Sequence, residues 1–318
     1  MTQPLLSRYA NCIFWMARYM ERTENLARLI EVNEVFVRDR RGSHNWEAIL
    51  RLNADFDAFT KRYGEPTEQS VAYFYMLDPE HPGSIYSAVK AARENARTLR
   101  PFISTEMWTH LNGIYNRLRT SEASPDRLPN ISDFCTRMKH DCQAHNGITE
   151  GTFYRDQGWA FYQLGKYLER ADQTTRLIDV KYHALLPSPQ DVGSPLDQSQ
   201  WNALLRSVAG YHAYRRIQPR DLSPTKVAAF MLLNQQFPRS VRYCVAECSR
   251  NLATLITTFQ LPRGIEVTEP LDVLHQRLEE SDIEGIIAQG LHEFLDTVQV
   301  ELIEVSRAMG RAYFGEED

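Results

Sequence analysis

The chain has too few cysteines, and in the wrong arrangement, for a disulfide framework. Its 318 residues hold five, Cys12, Cys135, Cys142, Cys244 and Cys248, an odd and scattered set that reads as reduced thiols packed like small apolar groups. No CxxC or HExxH spacing accompanies them, so Cys135, His140, Cys142 and His145 do not read as a metal centre, and no metal is expected. No apolar run approaches the roughly 18 residues needed to span a bilayer. Met1 to Ser7 carries neither a basic n-region nor a cleavage pattern, so the expectation is cytoplasmic residence without a membrane partner. Positive charge is not in surplus either. A net charge of −5 argues against a nucleic-acid partner. Glycine-rich phosphate loops, Walker sequences and nucleophile triads are missing, so the chain is not expected to activate ATP on its own.

What remains is helix. Val/Ile/Thr alternation between hairpin turns is absent, and nearly every segment carries helical period. The first helix is predicted from Ser7 to Arg41, with Arg38, Arg40 and Arg41 suiting its C-terminal dipole and Gly42 ending it. A second is predicted from Asn45 to Tyr63, a third capped by Thr67, a fourth from Ser84 to Arg100 and a fifth from Thr105 to Arg119. Thr120 to Asn130 reads as a linker. After it come a helix over Ile131 to Ala144, a turn at Asn146-Gly147, a long helix to Leu186, a polar loop from Pro187 to Ser199, a start at Ser223-Pro224 and a last helix from Asp282 to Phe314. The fold class is all-α, an elongated helical bundle with halves at 1–125 and 131–318 that form one unit.

The halves repeat each other. Glu21 recurs as Glu169, 148 residues on (169 − 21), and at that spacing Tyr19, Arg22, Arg28, Leu29, Ile30 and Val32 recur as Tyr167, Arg170, Arg176, Leu177, Ile178 and Val180. Glu24 and Glu31 become Asp172 and Asp179. Trp46 to Arg51 is echoed by Trp201 to Arg206, Ala54 by Ala209, and Pro82 and Ser84 by Pro238 and Ser240. So long a period excludes a solenoid and implies two duplicated helical halves about a pseudo-two-fold axis.

The duplicated helix is apolar nearly all round, the pattern of a central buried helix. Its Glu21, Arg22 and Arg28 therefore fall among apolar neighbours, where an ion costs several kcal/mol unless paired and hydrogen-bonded. Glu24 and Arg28 suit an i, i+4 pair, and the symmetry lets Glu21 meet Arg170 while Glu169 meets Arg22. A second charged stretch, Arg93-Glu94-Asn95-Ala96-Arg97 with Arg100, sets three guanidinium groups on one helical face, suited to a carboxylate or phosphate. The second half lacks this stripe. The alternative for both clusters is a buried network that fixes helix register and does no chemistry.

Taken together, Arg18 to Arg28, Ala92 to Arg97 with Glu106, Trp108 and Asn112, and Arg155 to Asp179 around Gly165 and Leu168-Glu169-Arg170-Ala171-Asp172 resemble the bacterial alpha-E domain proteins over essentially the whole chain. Phe153-Tyr154 and Asp172-Gln173-Thr174-Thr175 depart mildly from the family pattern. The resemblance implies an all-helical fold and the company of circularly permuted ATP-grasp ligases, transglutaminase-like proteins and, in some operons, a proteasome-like peptidase. It implies a role beside an ATP-grasp carboxylate–amine ligase that makes a small peptide or peptide-like amide. ATP and Mg would then sit on the ligase, and this chain would hold no cofactor of its own. A transglutaminase-like protein from the same operon and a second copy of the chain are further expected partners.

Two functions are therefore weighed. In one, Glu21 and Glu169 are catalytic and an amine or amino-acid substrate is bound by Arg22, Glu24, Asn25, Arg28, Arg93, Glu94, Asn95, Arg97, Arg155, Arg170 and Asp172. A general base there needs a carboxylate whose pKa burial has raised. In the other, the chain is a non-catalytic helical scaffold that docks and stabilises the ligase.

Overall fold

The computed structural model describes residues 5–39, 46–122, 128–185, 195–219 and 222–316. Among the described residues it is all-α, without strands. The chain runs through α1 (Ser7–Asp39), α2 (Glu47–Leu52), α3 (Phe56–Tyr63), α4 (Glu68–Met76), α5 (Ile85–Thr98), α6 (Thr105–Glu122) and α7 (Ile131–Thr152). It continues through α8 (Gln157–Leu185), α9 (Pro195–Ser207), α10 (Tyr211–Ile217), α11 (Pro224–Leu233), α12 (Val241–Thr257), α13 (Gly264–Glu280), α14 (Ile283–Gln289) and α15 (Leu291–Met309), and ends in a π turn at Gly310–Phe314. The expected stop at Arg40-Arg41-Gly42, the centre of the Thr120 to Asn130 linker, most of the Pro187 to Ser199 loop and the last two acidic residues lie outside the described residues.

Helices α1 and α8 form the centre. The 33 residues of α1 contain no glycine or proline and span roughly 50 Å at ~1.5 Å per residue. Ile13, Phe14, Met16, Ala17 and Met20, then Leu26, Ala27, Leu29 and Ile30, are all buried, so most of the α1 surface is enclosed. It packs on α8, α5 and α7, while α8 packs on α1, α12 and α15. One residue sets how closely the two central helices approach. A Cβ on Gly165 would lie 2.3 Å from the carbonyl oxygen of Phe14, so only glycine lets the backbones come this near.

Three boundaries differ from the expectation. The helix predicted over Asn45 to Tyr63 is broken between α2 and α3, where Ala54 has φ 57°. The left-handed conformation lets the Asp55 amide close back on the Leu50 carbonyl at 2.8 Å. Ala209 does the same in the other half, with φ 56° and Gly210 N on Leu205 O at 2.8 Å. Conversely, α7 runs straight through Asn146-Gly147. Its buried stripe Cys135, Met138, Cys142, His145 and Thr149 continues past that dipeptide, and tertiary burial overrides the turn preference. The last predicted helix is split by Gly290, at φ 114°, into α14 and α15.

The connections into α5 and α12 also match. Ser84 caps α5 through the Ser87 amide at 3.1 Å and donates its hydroxyl to the Asp78 carbonyl at 2.7 Å. Ser240 caps α12 through the Tyr243 amide at 3.1 Å and donates to the Asn234 carbonyl. The side chains of Asp78 and Asn234 accept from the amides of Glu80 and Gln236, both at 2.9 Å. The two connections share one capping pattern.

Candidate functional site

Where α1 crosses α8, the two Glu-Arg dipeptides exchange partners. Arg170 donates two bonds to Glu21, Nε to Oε1 at 2.7 Å and Nη2 to Oε2 at 2.8 Å. Arg22 donates two to Glu169, Nε to Oε1 at 2.6 Å and Nη2 to Oε2 at 3.1 Å. Fork-on-fork pairing of this kind is the strongest geometry available to an Arg–carboxylate pair. Desolvating four ions is costly, and the reciprocal bonds offset that cost only because they form at one relative placement of the helices.

Each glutamate collects further donors. Around Glu21, Asn25 donates to Oε1 at 3.1 Å and Arg239 Nη1 reaches the same oxygen at 3.2 Å. Arg239 also donates to Asn25 Oδ1 at 3.2 Å and to Glu24, which is held from the other side by Arg28 in the expected i, i+4 pair. Spare guanidinium nitrogens end on backbone carbonyls, Arg28 on Ser207 and Arg170 on Pro238. Thr174 on α8 donates to the Arg239 carbonyl at 3.1 Å and fixes that loop. Around Glu169, Arg18 Nε donates to Oε2 at 2.8 Å and Gln173 to Oε1 at 3.3 Å, while Asp172 is forked by Arg176.

The electrostatics run opposite to what a general base requires. Burial pushes both glutamates up, but the guanidinium fields outweigh it. Arg170 and Arg239 hold Glu21 well below the usual carboxylate range, and Arg22 and Arg18 hold Glu169 at about 2. Both are carboxylates at neutral pH, with every oxygen occupied by donors and with exposures of 2% and 0%. Lys166, whose pKa is lowered by burial and by Arg170, adds its field to the Glu21 side.

Of the residues singled out from the sequence, Glu21, Arg22, Glu24, Asn25, Arg28, Glu169, Arg170 and Asp172 are brought into this one network. Arg93, Glu94, Asn95, Arg97 and Arg155 are not. Arg93 donates to Asn112 at 2.7 Å and to Glu94 at 2.6 Å, and lies over the Trp108 and Tyr115 rings. Arg97 pairs with the same Glu94 at 2.7 Å, so the acceptor met by that arginine face is internal. Asn95 opens on a shallow surface depression beside Tyr19 and Glu94. Arg155 bonds Glu150 and stacks on Trp159.

The sequence reading missed Arg239, Arg18, Arg176 and Gln173. Arg176 was legible, as the repeat of Arg28 four residues after Asp172. Arg239 had no such signal, because it sits in a loop and its counterpart before Ser84 is Gly83.

Among the described residues, the one group placed to share a metal ion is Asp179, His292 and Asp296, with donor atoms within 4.8 Å of one another. Both ring nitrogens of His292 face carboxylates, Nδ1 to Asp179 at 3.0 Å and Nε2 to Asp296 at 3.5 Å. This is the arrangement of an ion pair around a histidinium rather than of converging metal ligands. No helix among the described residues is long and apolar enough to cross a membrane.

Residues 5–314 match the model of the Alpha-E family, described as a predicted alpha-helical domain with a conserved ER motif. The Glu-Arg dipeptides at 21–22 and 169–170 are the crossed pairs at the centre of the fold. An uncharacterised protein of Mycobacterium bovis is 24% identical over 325 residues, covering 94% of this chain and 36% of its own length. Uncharacterised proteins of two Mycobacterium tuberculosis strains match to the same extent. The chain thus spans about a third of the length of these relatives. No solved structure matches it. With a family model aligned to nearly all of its length, the chain belongs to the Alpha-E family.

Proposed function

We propose that this chain is the non-catalytic helical partner of an ATP-grasp-type carboxylate–amine ligase system that makes a small peptide or peptide-like amide. ATP and Mg act on the ligase, and the Glu/Arg network sets the rigid form that the ligase recognises. The observation that carries the non-catalytic reading is the state of Glu21 and Glu169. Both carboxylates are buried, saturated by guanidinium donors and driven down in pKa, which leaves neither an approach for an amine nor basicity to deprotonate one. The ligase association rests on the family resemblance. The length of the mycobacterial relatives, of which this unit is 36%, fits a module that works beside further protein.

The test is turnover of an ATP-grasp-type carboxylate–amine ligase, with and without this chain added, below the melting midpoint of each variant. Wild type stimulates. Glu169→Gln, where it is folded by far-UV circular dichroism, stimulates to within about threefold, because no proton passes through it. A loss above about a hundredfold in a folded Glu169→Gln protein would restore the catalytic assignment. An absence of stimulation by wild type would remove the ligase partnership.

A further inference from the structure

The donors around Glu169 are not used up. Arg22 spends Nε and Nη2 on Glu169, Arg18 spends Nε on Glu169 and Nη1 on Ser306, and Arg176 spends Nε and Nη2 on Asp172. Among the described residues each guanidinium keeps one terminal nitrogen without an acceptor: Nη2 of Arg18, Nη1 of Arg22 and Nη1 of Arg176. All three side chains line a single cleft of about 360 Å³ between α1, α8, α15 and the π turn, within the ~300–1,000 Å³ range of small-ligand sites. The cleft lining carries four guanidinium groups, Arg18, Arg22, Arg176 and Arg307, against two carboxylates, Asp172 and Glu316, with buried Glu169 beneath, and Arg22 lies near enough for its field to oppose the charge on Arg176. The forks are already fixed by their buried partners, so an incoming anion would not have to order them. Above the arginines the walls are apolar, from Trp15, Leu302 and Phe314. Phe314 is delivered by the π turn, a local widening of the helix common at functional sites.

The geometry points to a binding site in this cleft for a small oxyanion, a carboxylate or phosphate carried on an apolar or aromatic body, held by Arg18, Arg22 and Arg176. The anionic group sits at the arginines and the apolar body lies along Trp15 and Leu302. Asp172 and the rim carboxylate Glu316 also face the cleft, so a doubly acidic ligand is disfavoured on that side. The site concerns direct ligand binding by this chain and stands apart from any ligase partnership.

Isothermal titration calorimetry at low salt tests it with phenyl phosphate, phenylacetate and inorganic phosphate. The two aromatic anions bind the wild type more tightly than inorganic phosphate, and the tighter of them identifies the anionic group. Arg176→Gln and Arg22→Gln each weaken binding by at least about tenfold. Arg176→Lys, which keeps the charge and loses the fork, falls between. Arg250→Gln, at an exposed position on α12 outside the cleft, leaves affinity unchanged. Circular dichroism melts certify each protein as folded, and Arg176→Lys stands in if Arg176→Gln is not. No heat with any of the anions at about 10 mM would overturn the site. So would binding that Arg22→Gln and Arg176→Gln leave intact, or that Arg250→Gln weakens as much.

Discussion

Glu21 and Glu169 occupy matching places in the two central helices, yet their surroundings differ. At Glu21 the surplus guanidinium nitrogens are absorbed by protein, Arg28 by Ser207 and Arg170 by Pro238, and a third arginine, Arg239, closes the cluster. At Glu169 the position matching Arg239 is Gly83. The donors there, Arg18 and Arg22, are 12% and 28% exposed and line the cleft. The same Glu-Arg exchange thus ends in a closed pin on one side and an open, cationic floor on the other. A repeated motif makes the pairing on both sides, and the loop arginine that closes the Glu21 side has glycine at the matching sequence position in the other half.

The largest effect that separates the two sides is on stability. Glu21→Gln strands the buried Arg170 guanidinium, leaves Arg239 with Glu24 as its remaining carboxylate, and is expected to cost about 3–5 kcal/mol in urea unfolding. Glu169→Gln costs less, because Arg18 and Arg22 can turn toward the cleft. Equal or reversed costs would break the comparison. Next is Gly165→Ala, which puts a carbon against the Phe14 carbonyl and loosens both sides together by about 1–3 kcal/mol. A melting temperature within a degree of wild type would show that the crossing is not tight. Arg239→Gln follows, at about 1–3 kcal/mol, and exceeds Arg22→Gln, the more exposed member of the opposite cluster.

Acid sharpens the contrast further. Glu169 falls from an ordinary value of 4.5 to about 2 on folding. A depressed carboxylate gives stability that is full above the unfolded pKa and is lost as pH falls from about 4.5 through the folded value. Glu169→Gln therefore flattens that part of a stability–pH curve, and an unchanged slope would deny the shift. His145 adds to acid loss at higher pH. Burial holds it at about 3 against 6.5, and neither ring nitrogen has a hydrogen-bond partner among the described residues, so its contribution fades as pH falls below 6.5.

The smallest effect lies at the far ends of the central helices. Glu31 is tied to Lys139 at 2.6 Å, and its counterpart Asp179 to His292 at 3.0 Å. Although partial burial opposes it, the Asp179 bond raises the His292 pKa above 6.5. That pair's stability is full below 6.5 and lost as pH rises through the folded value, by under about 1 kcal/mol at so exposed a histidine. Histidine NMR titration reads it directly. A pKa at or below 6.5 would refute it, and Lys139→Gln should show no such window.

The crossed pairs were legible because they lie on helices of regular period. Once Glu21 and Glu169 repeat with Arg22 and Arg170 on buried helices, the cost of a lone ion leaves few other partners. The i, i+4 bond of Glu24 to Arg28 followed from spacing alone. Arg93 and Arg97 show the limit of that reasoning. Their shared face was visible, but not that Glu94 would turn to accept both.

The sequence by itself determined the helical class, the central burial of α1 and α8 and the pairing of their charges, since periodicity and ion desolvation act locally or through symmetry. Only the tertiary structure decided that Arg239 reaches across from a loop to Glu21, that α7 runs through Asn146-Gly147, and that Arg18, Arg22 and Arg176 share a cleft. Those outcomes depend on where separate segments meet and how much water remains between them, and no spacing along the chain encodes that.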